Sequence, residues 1–143
     1  MFLIDTNVIS ESRKVRSGRA APQVVDWLKA TDPSTTFLSA MTLFELELGV
    51  VRVERRDAAQ GENLRRWLDQ IVKPGFAGRV LAMDGAVAVT CAALHVPDPV
   101  SERDAWIAAT ALVHGLTLVT RNGRDFDGTG VSIVDPWAGL TGR

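Results

Sequence analysis

The chain has 143 residues, 46 % hydrophobic and 23 % charged, with a formal net charge of −1. That balance suits one soluble globular domain (residues 1–143) with its own core, and is not that of a disordered chain. With so little net field, any nucleic acid has to be held by local basic patches or through a bound cation.

In chain order, Phe2-Leu3-Ile4 is a short apolar run that stops at Asp5, as expected of a strand buried on both faces. The opening decapeptide lacks a basic leader and carries Asp5 inside the apolar run, so it reads as neither signal peptide nor membrane span, and the default location is cytoplasmic. Glu11–Ala20 is polar and basic, a loop or frayed helix. Pro22 opens a helix through Ala30 with Val24, Val25 and Leu28 as its apolar stripe. Thr36-Phe37-Leu38 is the second strand. Ser39 caps a long helix to Arg56 whose apolar face is Met41, Leu43, Leu46, Leu48 and Val50. A further helix from near Ala58 contains Leu64, Trp67, Leu68 and Ile71 and stops at Pro74-Gly75.

Arg79–Ala82 is the third strand, and Asp84 caps a helix running to His95. Cys91, the one cysteine, lies in the apolar run VAVTCAAL and is expected to be a buried helix residue. Val96-Pro97-Asp98-Pro99 breaks the chain. A helix from Glu102 to His114 ends at Gly115, followed by strands Leu116–Thr120 and Val131–Val134. Strands alternating with helices predict an α/β fold, a five-stranded parallel sheet covered by helices on both faces.

Open α/β sheets gather their reactive groups at the carboxyl ends of the strands. Asp5 ends the first strand, Asp84 follows the third, and Asp125 lies in the loop after the fourth. Glu45 sits inside an otherwise apolar helix, where an ionised group must face a partner, a cleft or a metal. Asp104 stands in the first turns of the helix before the fourth strand. Each has a plainer reading. Asp5 and Asp84 could be caps, Glu45 could pair with an arginine, Asp104 could answer a helix dipole, and Asp125 and Asp127 could be turn residues. Together they are the oxygen donors that Mg²⁺ or Mn²⁺ prefers, and such an ion activates water and neutralises charge on a phosphodiester.

Four segments in order resemble the motifs of PIN-domain ribonucleases, especially the VapC and FitB toxins. They are Leu3-Ile4-Asp5-Thr6-Asn7-Val8-Ile9-Ser10, Phe44-Glu45-Leu46-Glu47-Leu48-Gly49, Asp104-Ala105-Trp106-Ile107-Ala108-Ala109-Thr110-Ala111, and Leu118-Val119-Thr120-Arg121-Asn122-Gly123-Arg124-Asp125-Phe126. Val134-Asp135-Pro136-Trp137 also resembles the FitB close. The resemblance implies a PIN-like three-layer sandwich and Mg²⁺-dependent (or Mn²⁺-dependent) RNA cleavage by the toxin of a type II toxin–antitoxin system. It implies Asp5 and Asp104 as metal ligands, Glu45 and Asp125 as the rest of the catalytic acids, and Thr6, Asn7, Thr120 and Asn122 as their supporting partners. It further implies a homodimer and a small antitoxin whose tail enters the acidic groove.

Other readings fit less well. A haloacid-dehalogenase-like phosphatase needs a second Asp two residues after the first, where this chain has Asn7. A dinucleotide-binding domain needs a glycine-rich loop after the first strand. For a serine or cysteine hydrolase the only bases are His95 and His114, both near helix ends. A PIN fold kept only for binding would have no need of a complete acidic set. Arg52, Arg55, Arg56, Arg65 and Arg66 could touch RNA or an acidic partner, or simply form a solvated helix face. Trp67 and Trp106 are expected in packing or a dimer interface, and Trp137 is expected to pin the tail to the body.

Overall fold

In the computed structural model, which describes residues 1–139, five strands form one parallel sheet in the order β3-β2-β1-β4-β5. They are β1 (Phe2–Ile4), β2 (Thr36–Ser39), β3 (Val80–Leu81), β4 (Thr117–Val119) and β5 (Ile133–Val134). The helices are α1 (Thr6–Ser12), α2 (Pro22–Ala30), α3 (Ala40–Arg56), α4 (Ala58–Trp67), the short α5 (Lys73–Gly75), α6 (Gly85–Leu94) and α7 (Glu102–His114).

The period-two alternation of a strand assigns the two faces. Ile4 and Val119 point into one core with Val8, Trp27, Leu38, Leu46, Val50 and Leu68. Leu3 and Leu118 point into the other, against Ile107, Ala108 and Ala111 of α7. A smaller cluster of Val87, Cys91, Ala105 and Ala109 joins α6 to α7, with Cys91 buried as expected. The methyl side chains of the α7 alanines are small, so the helix packs closely on the sheet and on α6.

Several local expectations are corrected. Thr6–Ser12, to which the sequence assigns no element before the loop or frayed helix at Glu11, is a helix that Asp5 caps, burying only Val8 and Ile9. The buried stripe of α2 is Val24 and Trp27, with Val25 and Leu28 half-buried. On α3 it is Thr42, Leu46, Val50 and Val53, which leaves Met41, Leu43 and Leu48 half-buried. Ile71 is 55 % exposed while Val72 is buried, because Leu68–Val72 is a turn of π-helix. The extra residue in that turn moves the inward position along by one. The outer strands are shorter than their apolar runs, since β3 and β5 are each paired on one side only.

Two glycines are required by geometry. Gly115 ends α7 at φ 65°, a left-handed conformation that only glycine adopts without strain. Gly61 lies where α4 crosses α3, and a Cβ there would come within 2.5 Å of the Glu54 Cα. No described helix is long and apolar enough to cross a membrane.

Candidate active site

The chain fills the sheet from β1 outward through β2 and β3, then crosses to β4 and β5 on the other side. The strand order therefore reverses between β1 and β4, and the crevice outside their carboxyl ends is where such sheets take ligands. Asp5 stands at that point. Its backbone N–H donates to Val119 O at 2.9 Å, which ties the end of β1 to the end of β4.

The Asp5 side chain is held from three directions and is only 7 % exposed. Oδ1 accepts the Thr6 N–H at 2.7 Å, the first free amide of α1. Oδ2 accepts the Thr120 hydroxyl at 2.8 Å and lies 3.4 Å from Asn7 Nδ2. Thr120 Oγ1 in turn accepts Asn7 Nδ2 at 3.2 Å and the Asn122 N–H at 3.1 Å. Asn7 Oδ1 accepts the Arg121 N–H at 3.2 Å. Capping α1 and facing the crevice are thus two uses of one carboxylate. Asn122 takes part through its backbone.

Glu45 arrives from α3. Its Oε1 accepts the Thr6 hydroxyl at 2.7 Å, while Arg103 Nη1 stands 3.8 Å from Oε2. Behind Thr6 lies buried Thr42, with hydroxyl oxygens 3.4 Å apart, and Thr42 Oγ1 is 3.2 Å from Ser39 Oγ. Ser39 also caps α3 by accepting the Thr42 N–H at 3.0 Å. The start of α3 therefore fixes both its own first turn and the hydroxyl that steers Glu45.

Asp104, in the first turn of α7, and Asp125, in the 3₁₀ turn Gly123–Phe126, complete the convergence. Burial raises the Asp5 pKa above the ordinary carboxylate value, the Thr120 and Thr6 bonds pull it down, and the charges of Glu45 and Asp125 push it up. Asp104 is raised by burial and then by the charges of Asp125, Asp5 and Glu45, against a bond from Ser101. Asp104 feels the charges of the other three and Asp5 those of Glu45 and Asp125, so the four carboxylates lie within one electrostatic site.

The donors here are all oxygen. Neither histidine belongs to the site: His95 follows α6 and its Nδ1 accepts the Val100 N–H, and His114 lies exposed at the end of α7. Among the described residues no group of three or more acidic, histidine or cysteine side chains is placed to hold a metal ion by itself. Oxygen donors of this kind are the ones that Mg²⁺ and Mn²⁺ prefer, ions that keep several of their waters and need only one or two carboxylates, whereas zinc prefers nitrogen and sulfur.

Asp84 caps α6 by accepting the Val87 N–H at 3.0 Å and stands outside the group. Asp127 is an exposed residue ending the 3₁₀ turn, and its charge is not among the principal influences on Asp5 or Asp104. Thr42, Ser101 and Arg103 were not read from the sequence. The spacing of Thr42, three residues from both Ser39 and Glu45, was the available signal. Of the helix arginines, Arg65 is committed to Glu47, Glu54 and Asp69, and Arg66 faces Glu62 at 3.7 Å. Trp67 packs on the core beside α1–α3, Trp106 packs beside Val87 and Cys91, and Trp137 packs against the first core.

A family model described as PIN domain matches residues 2–131. A plasmid stability protein, StbB, of Pseudomonas syringae pv. tomato is 37 % identical over 96 % of this chain and 99 % of its own length. The VapC ribonuclease Y4jK of Sinorhizobium fredii is 36 % identical over 96 % and 98 %. Among solved structures, that of FitAcB from Neisseria gonorrhoeae superposes with a TM-score of 0.86 at 35 % identity, covering 96 % of this chain and 99 % of that one. A toxin–antitoxin complex from Klebsiella pneumoniae gives 0.66 at 27 % identity, covering 95 % and 98 %.

Proposed function

The chain belongs to the PIN-domain family, and on that premise we propose that it is a metal-dependent endoribonuclease, the toxin of a type II toxin–antitoxin pair acting in the cytoplasm. The observation that carries the proposal is the convergence of Asp5, Glu45, Asp104 and Asp125 on the β1–β4 crevice, with Asp5 and Asp104 both raised in pKa. Like charges drawn into one half-buried site oppose folding. A chain keeps such an arrangement where a cation and a reaction use it. The ribonuclease and toxin–antitoxin relatives support the choice of reaction.

Asp5 and Asp104 would hold the ion. A bound Mg²⁺ or Mn²⁺ lowers the pKa of water and neutralises charge growing on the phosphodiester. The protein supplies the positioning. Thr6 N–H and Thr120 fix the two Asp5 oxygens, so the carboxylate is aimed before substrate arrives. The Thr6 hydroxyl fixes one Glu45 oxygen and leaves the other facing the cleft mouth beside Arg103. There Glu45 orients the attacking water and takes its proton as the P–O bond to the leaving oxygen breaks. Asp125, at the rim, holds a further water in place.

An acidic cleft that takes a cation also takes a guanidinium, which pairs with a carboxylate through two parallel bonds. A groove lined by Thr6, Glu45, Leu46, Val50, Leu64 and Trp67 runs up to Glu45. We assign to it the apolar segment of an antitoxin that presents an Arg or Lys to the carboxylates, and we assign the active form to a homodimer.

Purified protein incubated with total RNA should cut it in Mn²⁺ and not in EDTA, and a copurifying inhibitor should lose its effect when its cleft-facing basic residue is replaced. Equal cleavage with and without metal, after contaminating nucleases are removed, would contradict the nuclease assignment. An inhibitor that leaves the cleft open would contradict the partner assignment alone.

A further inference from the structure

Beside the carboxylates lies a second, polar depression of about 640 Å³, lined by Arg121, Asn122, Gly123, Arg124, Asp125 and Asp135. It shares Asp125 with the acidic site and begins one residue after Thr120. Its volume is in the range that holds a drug-sized ligand, ~300–1,000 Å³.

The arginines of this depression are not spent on carboxylates as Arg65 is. Among the described residues, neither Arg121 nor Arg124 forms an ion pair, whereas Arg65 alone contacts three carboxylates. Arg121 is nevertheless positioned. Its N–H is fixed by Asn7 Oδ1 at 3.2 Å, and its guanidinium lies over the Trp137 ring at 5.1 Å from the centroid. Trp137 is itself fixed, with its N–H donated to Asp135 Oδ1 at 2.8 Å and its ring packed on the first core. A guanidinium stacked on an indole keeps its in-plane N–H groups free, and those are the groups that bind phosphate bidentately.

We propose that the Arg121–Trp137 stack, with Arg124, is a phosphate-binding subsite that seats the single-stranded RNA backbone one step away from the scissile bond. The inference rests on the ribonuclease reading and says where the strand lies. The occupant is a single strand because a concave pocket beside a second concave site requires the backbone to bend into both, which a rigid A-form duplex cannot do. Asp135 and Asp125 also line the depression, and the two arginines balance their charge, so the phosphate is held by the directed N–H groups of Arg121 and not by net charge. The arrangement also explains how a chain of net charge −1 holds a polyanion: attraction is local and placed within reach of the acids.

The test is equilibrium binding of a fluorescein-labelled oligoribonucleotide of about ten nucleotides, near the span of one single-strand site. It is measured in EDTA over a series of potassium chloride concentrations, so that binding is read without cleavage. Arg121→Ala should weaken binding about tenfold and flatten the slope of log K against log salt by ~0.7, the share of one phosphate contact on a single strand. Arg121→Lys should restore the slope and only part of the affinity, because it keeps the charge and loses the fork. Arg66→Ala, away from the depression, should leave both unchanged. In Mn²⁺, Arg121→Ala should lose a matching factor in kcat/KM, carried by KM. An Arg121→Ala slope equal to wild type overturns the subsite even if RNA is cut normally, as does a duplex that binds as tightly as the single strand. Binding that depends on Arg121 without any metal-dependent cleavage overturns the nuclease reading and leaves the subsite standing.

Discussion

The carboxylates of the β1–β4 crevice and the charges around Arg65 are both networks of ionisable side chains, built to opposite rules. Around Arg65 the signs alternate. Arg65 meets Glu47 at 2.8 Å, Glu54 at 3.2 Å and Asp69 at 3.5 Å, and Lys73 meets Glu47 at 2.6 Å and Asp69 at 2.9 Å. The hydrogen bonds from Lys73 and Arg65 lower the Glu47 pKa, and those from Lys73 lower that of Asp69. In the crevice four carboxylates gather with Arg103 only at the mouth, 3.8 Å from Glu45, and Asp5 and Asp104 are raised. The first network ties α4 and the turn after it to α3 and asks nothing of a ligand. The second works against the fold that carries it, and on the proposed function a bound cation relieves it. Charge count would not separate them; the direction of the pKa shifts does.

The sharpest way to break the contrast is to remove one charge from each network. Asp5→Asn and Asp104→Asn should each lower RNA cleavage by roughly a thousandfold or more, the scale of losing a charge stabiliser in the transition state. Circular dichroism should show the fold unchanged. Arg65→Met should leave cleavage within a factor of about two, since surface pairs do not reach the reacting atoms. Comparable losses in both would mean that the two networks are not distinct in function.

A smaller effect concerns stability, and the sign differs between the networks. Asp104 has a raised folded-state pKa, so it costs nothing below the unfolded value of ~3.9, where both states are protonated. As pH rises past that value the folded state keeps its proton longer, and stability falls until the folded-state pKa is passed. In EDTA, Asp104→Asn should therefore melt with wild type near pH ~3.5 and above it at neutral pH, by ~1 kcal/mol or a few degrees after allowance for solvent screening. A mutant that melts lower at neutral pH would make Asp104 a structural residue of the α7 start.

The smallest effect is the converse one. Glu47 and Asp69 have lowered pKas, so their contribution is present above the unfolded value and is lost as pH falls through the folded one. Arg65→Met should destabilise by only ~0.5–1 kcal/mol at neutral pH, shrinking toward zero in acid. A loss that grows in acid would contradict the pairing.

The same comparison shows what a sequence yields. β1 was legible to the residue, and so were the caps Ser39 and Asp84 and the glycine end of α7, because each depends on neighbours in the chain. Asp5 could be placed at a strand end, Asp104 at a helix start, Asp125 in the loop after the fourth strand and Glu45 within an apolar helix on the same grounds. Helix α1 was missed because seven residues with two buried positions are too short to show a period. The inward turn from Ile71 to Val72 was missed because helical periodicity assumes a constant pitch. Thr42 beneath Thr6, Arg103 beside Glu45 and Arg121 over Trp137 join residues far apart in the chain, and only packing brings them together. The arginines of α3 and α4 are the reverse case: prominent in sequence, and in the case of Arg65 already paired.

The central claim is that the like-charged crevice is tolerated because a metal ion and RNA cleavage use it. Titrating Mn²⁺ into the wild-type protein while following both cleavage rate and melting temperature tests this directly. A metal that binds the folded state alone raises stability by mass action, so both signals should rise over the same concentration range. In Asp104→Asn, cleavage should stay absent and the melting temperature should gain less than in wild type. Cleavage that is complete in EDTA, or a melting temperature lifted equally in both proteins while wild-type cleavage follows a different curve, would contradict the account.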